Sequence, residues 1–148
     1  MIVVSVFRDD ESLFKIVKHL SKLYKCFVIT PENFSLVIIE DKITLFKDEN
    51  LSIKNLFKSF DDDFKEDVLF LLDSLIVSQE QIDEFIVSTN FNSILVDKVD
   101  DKYLLTNNFK MKINLIKKFI EHFNEDNILR SLIQFMIQED VKCSLEFR

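Results

Sequence analysis

The chain has 148 residues and no glycine, and that absence constrains its backbone more than any other feature. A positive φ costs a residue with a side chain energy that glycine avoids. Each turn that needs one must therefore recruit Asn or Asp, which tolerate it best. Asn33, Asn50, Asn107, Asn108 and Asn124 are the candidates. The same absence removes chemistries. P-loops, dinucleotide fingerprints and the usual nucleophile elbow all need glycine where backbone meets ligand or turns sharply. Those enzyme classes are set aside.

Alanine is also missing, Pro31 is the one proline, and three arginines stand against sixteen lysines. The scarce residues share GC-rich codons, so the composition reads as the mark of an AT-rich genome such as that of a reduced parasite, a large DNA virus or a plasmid. Forty-seven per cent hydrophobic residues, with 16 Phe, supply ample core material and argue against disorder. The expectation is one α+β domain over 1–148, with pattern halves 1–60 and 103–148 around an uncertain middle, 61–102.

A net charge of −7 argues against nucleic-acid binding by the whole surface but permits a local basic face. Cys26 and Cys143 sit in apolar, strand-like contexts, and both are expected buried, reduced and unpaired with each other. The opening MIVVSVF lacks a basic region. No run reaches the roughly 18 apolar residues of a membrane span. An intracellular setting, nucleus or cytoplasm, with no membrane partner is the expectation.

Periodicity divides the chain further. Strands are expected at 2–7, 26–30, 34–39, 42–47, 109–113, 128–137 and 141–147, and helices near 11–24 and 114–124. Segments 34–39 and 42–47 read as a hairpin turning at Glu40–Asp41. Asn114 is the expected N-cap of the later helix. Residues 51–60 read as a strand entering a short helix or as one helix, and 65–77 as an apolar helix or buried strand. Residues 79–87 have helical spacing, although 85–89 also suit a strand.

In the first helix Leu13, Ile16, Val17 and Leu20 form one face. Lys15, Lys18, Lys22 and Lys25 fall within an arc of roughly 80° on the other. Lys110, Lys112, Lys117 and Lys118 form a second cluster. Asp61, Asp62 and Asp63 with Glu66 and Asp67 lack the spacing and central glycine of a Ca²⁺ loop, so a solvated loop is expected. His19 and His122 have no partners at ligand spacing. Lys25 adjoins Cys26, yet the apolar flank points to a core thiol and not a nucleophile. The phenylalanines read as core, although exposure of Phe57, Phe60 and Phe64 would mark a partner surface. No catalytic, cofactor or metal constellation emerges.

Two strand–helix–strand–strand units in one chain resemble the building block of sliding DNA clamps. The run Cys26-Phe27-Val28-Ile29-Thr30-Pro31-Glu32-Asn33-Phe34-Ser35-Leu36-Val37-Ile38 is similar to the second and third strands of checkpoint-clamp (9-1-1) subunits, after a helix carrying Leu13, Ile16, Val17 and Leu20. The resemblance covers 1–47, and 109–147 more loosely. It implies an antiparallel sheet with helices on one face and a non-enzymatic clamp-like subunit in DNA replication or damage signalling. It also implies partners: other clamp-like subunits or a self-oligomer, and double-stranded DNA facing Lys15, Lys18, Lys22, Lys25, Lys117 and Lys118. No cofactor or metal is implied. The alternative is an intracellular viral or parasite adaptor or inhibitor, an all-helical bundle binding host proteins through an apolar groove.

Overall fold

The computed structural model describes residues 1–7, 11–34, 42–61, 63–73, 78–88 and 92–147. Its elements run β1 (Ile2–Val6), α1 (Glu11–Leu20), β2 (Lys25–Thr30), β3 (Ile43–Lys47), α2 (Ile53–Lys58), β4 (Val68–Leu71), α3 (Gln79–Val87), β5 (Ser93–Val99), β6 (Lys102–Met111), α4 (Ile113–His122), α5 (Ile128–Gln138) and β7 (Ser144–Phe147). The fold is α+β. Among the described residues seven strands form one mixed sheet in the order β3-β2-β1-β4-β6-β5-β7.

Strand direction departs from the expectation of an antiparallel sheet. β1 pairs parallel with β2 and β4, and β2 parallel with β3. β6 is antiparallel to both β4 and β5, while β7 is parallel to β5. The physical reason is visible in β1, whose five residues are all buried. A strand covered on both faces reads as a continuous apolar run, which is the pattern of a parallel strand fed by crossover helices. The hairpin expected from 34 to 47 is corrected by its second arm: β3 pairs parallel with β2. The first arm and the Glu40–Asp41 turn lie mainly outside the described residues.

Helices cover both faces, not one. Ile2, Val4, Val6, Phe70 and Phe109 pack with Leu56 of α2, Ile116 and Phe119 of α4, and Leu132 of α5. On the other face Val3, Leu69 and Leu71 pack with Leu13 and Val17 of α1 and with Ile82 and Phe85 of α3. Alternation along each strand sends successive residues to opposite layers.

Several helix starts have identifiable caps. The Ser52 hydroxyl accepts from the Asn55 N–H at 3.1 Å to open α2, and Ser78 with Gln81 forms a capping box on α3. α4 begins one residue before the expected Asn114 cap, behind Lys112, which makes no side-chain cap. Asp67 Oδ1 instead accepts the Ile113 N–H at 2.8 Å. Residues 128–137, expected as a strand, form α5. Asn127 Oδ1 accepts the Arg130 N–H at 3.2 Å, and Leu132, Phe135 and Met136 bury a helical stripe. Positive φ falls on Leu51, Asp100, Asp101 and Asp140, so aspartates and one leucine take the places expected of the named asparagines. Asp100 and Asp101, both left-handed, turn β5 into β6.

Candidate functional site at the carboxyl ends of β1 and β4

β1 is the first strand, and the chain builds outward from it in both directions, to β2 and β3 on one side and β4 on the other. Connections then leave neighbouring parallel strands toward opposite sides, opening a crevice at their carboxyl ends where ligands of open parallel sheets bind. Polar side chains gather at that edge.

Asp73 lies just beyond β4, after Leu72, and is half-buried. Its Oδ2 accepts the Asn107 backbone N–H at 2.7 Å, and its Oδ1 accepts the Asn107 side-chain amide at 3.2 Å. Asn108 Oδ1 accepts the backbone N–H groups of Leu72 and Asp73 at 2.8 and 3.0 Å, fixing the exit of β4. Thr106 Oγ1 donates to the Leu95 carbonyl at 2.7 Å and accepts the Asn108 N–H at 3.1 Å. The Ser5 hydroxyl donates to the Leu71 carbonyl at 2.8 Å, tying β1 to β4. Asp97, on β5, is buried. Burial pushes its carboxyl above the usual carboxylate range, and the neighbouring Asp73 charge pushes it further. Asn107 Oδ1, Asn108 Nδ2 and Thr30 Oγ1 are buried without a protein partner. Unsatisfied buried polar atoms are costly, and Asn107 Oδ1 belongs to the amide that donates to the Asp73 carboxylate.

The residues expected to face DNA are dispersed. Lys15, Lys18 and Lys22 line an open depression of about 490 Å³ on the α1 side, together with Lys42. Lys117 and Lys118 lie on α4, which packs on the opposite face of the sheet. Lys25 opens β2 in register with Phe27, on the α4 face, with its ammonium 5.3 Å from that ring. Lys118 Nζ is 2.7 Å from Glu139 Oε2. Lys110 is buried, and its ammonium donates to Ser88 Oγ at 2.7 Å and to the Ile86 and Ser88 carbonyls at 3.4 Å. It caps the carboxyl end of α3.

The remaining candidates resolve individually. His19 is not on an idle edge, since its Nε2 lies 2.9 and 3.0 Å from the two Asp83 carboxylate oxygens, joining α1 to α3. His122 is exposed. Among the described residues no three or more His, Cys, Asp or Glu gather as a metal site. Glu66 accepts from the amino terminus at 2.7 Å. Cys26 is fully buried and Cys143 half-buried, and both are free thiols. Phe57, Phe60 and Phe64 are half-buried and pack on the core. Among the described residues no helix is long and apolar enough to cross a membrane.

Comparison with solved structures agrees with this topology. The bifunctional IspDF from Campylobacter jejuni superposes with a TM-score of 0.64 at 14% identity, over 99% of this chain and 49% of that one. The 2-C-methyl-D-erythritol 4-phosphate cytidylyltransferase from Thermus thermophilus superposes with a TM-score of 0.68 at 8% identity, over 100% of this chain and 88% of that one. The chain thus spans about half of the first structure's length. No protein-family model and no curated protein sequence matches.

These findings overturn the sliding-clamp resemblance. The two solved structures named above are isoprenoid-pathway cytidylyltransferase folds, not checkpoint-clamp subunits. The expectations of a non-enzymatic role in DNA replication or damage signalling, of clamp-like partner subunits and of a DNA partner fall with it. The helical-bundle adaptor is likewise unsupported, because the described residues include a seven-stranded sheet.

Proposed function

We propose that the protein is an enzyme of nucleotidyl transfer, working at the carboxyl ends of β1 and β4. The observation that carries this reading is the Asp73–Asn107–Asp97 cluster at the topological switch point. The fold shared with two cytidylyltransferase structures supports it.

In nucleotidyl transfer an acceptor oxygen attacks the α-phosphorus of a nucleoside triphosphate. The bond from that phosphorus to the bridging oxygen breaks, and pyrophosphate leaves with the electron pair. The chain's residues have positioning and electrostatic work to do in such a step. Asn107 holds both oxygens of Asp73 in a fixed plane. Asn108 fixes the backbone on which Asp73 stands.

The donor set suits a hard divalent cation. Asp73 and Asp97 are close enough for the charge on one to raise the proton affinity of the other, and the buried Asn107 Oδ1 is an unused oxygen beside them. These three would hold Mg²⁺ or Mn²⁺, which supplies charge neutralisation at the triphosphate.

The test is pyrophosphate release from each nucleoside triphosphate in Mn²⁺ or Mg²⁺, with 2-C-methyl-D-erythritol 4-phosphate as the first acceptor. Turnover that falls at least a hundredfold in Asp73→Asn, with the melting profile retained, is the expected result. If no triphosphate gives pyrophosphate and none raises the melting temperature, the reading is wrong.

A further inference from the structure

A second concave site lies away from that edge. Between α2 and α4, a cleft of about 420 Å³ has a floor of Phe57, Phe60, Phe64, Ile116 and Ile120. Phe60 and Phe64 stack at 4.9 Å between centroids, and Phe57 meets both edge-on at 5.2 and 6.0 Å. The stacked pair also walls a neighbouring depression lined by Met1, Ile2 and Lys25, at the amino ends of the strands. The cleft therefore opens at the far end of the sheet from Asp73.

Its rim is charged. Lys54 and Lys58 stand one turn apart on α2, and Lys117 faces them from α4, against Asp61 and Glu121. The ammonium of Lys54 lies 5.6 Å from the centre of the Phe123 ring, which holds it at the lip. Among the described residues three cations face two carboxylates, which leaves the lip net positive. Aromatic faces alone would also receive a cation, but three lysines oppose one. A volume within the range of about 300–1,000 Å³ typical of small-molecule pockets matches a compact ligand.

We infer that this cleft binds a small amphipathic anion, with an acyl or aromatic body on the phenylalanine floor and a single carboxylate, sulfonate or phosphate head at the lysine rim. Apolar area supplies the attraction, and charge at the lip sets which head group is accepted. The inference is independent of the nucleotide reading, since none of its residues lies in the carboxyl-end cluster.

Anilinonaphthalene sulfonate, an aromatic anion of this class, is the probe. It should bind the native protein saturably at one site with enhanced fluorescence. Decanoate should displace it, and decanol, with the same chain and no charge, should not. Ile120→Trp fills the floor and should abolish the signal. Should that variant unfold, the rim variant Lys58→Glu with Lys117→Glu decides, because it alters exposed side chains only. It should weaken both the probe and decanoate about tenfold with an unchanged circular dichroism spectrum. Non-saturable fluorescence, equal displacement by decanol, or a folded rim variant binding like the parent overturns the inference.

Discussion

Asn107 gives Asp73 two hydrogen bonds, one from its backbone N–H at 2.7 Å and one from its side-chain amide at 3.2 Å. The pair joins the end of β4 to the middle of β6, 34 residues away. Asp73→Ala leaves the partly buried Asn107 donors unpaired and should cost about 1–3 kcal/mol of stability. Asp73→Asn keeps one acceptor oxygen for these two donors and should cost less. Urea unfolding of the two variants checks the order, and a smaller loss in Asp73→Ala would show the pair to be idle.

Asp97 offers a cation-linked prediction. Its carboxyl is raised by burial and then by Asp73, so the folded state holds a proton more tightly there than the unfolded chain. Stability from this group therefore falls as pH rises from the ordinary aspartate value through the raised one. Asp97→Asn removes that loss, and its melting temperature at pH 7 should exceed that of the parent. Mn²⁺ should stabilise the parent and leave Asp97→Asn unmoved. Equal Mn²⁺ shifts in both proteins would remove Asp97 from the site.

Lys110 illustrates a cation spent on structure. It is 4% exposed, and its ammonium lies 5.0 Å from the centre of the Phe85 ring while capping α3. Lys110→Met leaves the Ile86 and Ser88 carbonyls without that donor and should cost about 2 kcal/mol. The neighbouring exposed Lys112→Met should stay within about 0.5 kcal/mol. Equal melting curves for the two variants would contradict the cap.

The thiols should separate by rate. Burial drives Cys26 up to about 12, and Cys143 is raised by burial with partial relief from the Ile94 backbone. Thiolate is the reactive form, so a disulfide reagent at pH 8 should label Cys143 first and Cys26 only as fast as the protein unfolds. Simultaneous labelling would place Cys26 outside the core.

How much of this was legible depends on how local each signal is. α1 and α4 show in the sequence because Leu13, Ile16, Val17 and Leu20, and later Ile116 and Phe119, repeat at helical spacing. β1, β2 and β3 show as apolar runs, but which strand pairs with which, and in which direction, is set by crossovers that periodicity does not record. α5 reads as a strand from composition, because Ile128, Ile133, Phe135 and Ile137 are β-favouring residue types, whereas the deciding facts are the Asn127 cap and the buried Leu132–Phe135–Met136 stripe. The site was missed for the same reason. Asp73 follows β4 while Asp97 and Asn107 come from the two arms of the later β5–β6 hairpin, and the one local sign is an aspartate placed directly after the buried run Val68–Leu72.

Asp48 carries the acid side of the stability profile. Its Oδ2 accepts the Ser52 N–H at 2.8 Å and the Asn55 amide at 3.1 Å, and its Oδ1 accepts the Asn50 N–H at 3.4 Å. Burial pushes the carboxyl up, but the Ser52, Asn55 and Asn50 donors outweigh it and hold it below the usual value. A depressed carboxylate contributes stability above its unfolded value, about 3.9, and loses it as pH falls through the folded one. Asp48→Asn should therefore melt below the parent at pH 7, and the gap should narrow as pH falls below the ordinary aspartate value and the parent's carboxyl takes up its proton. A gap of constant size across that range would mean that the charge on Asp48 does not hold the turn into α2.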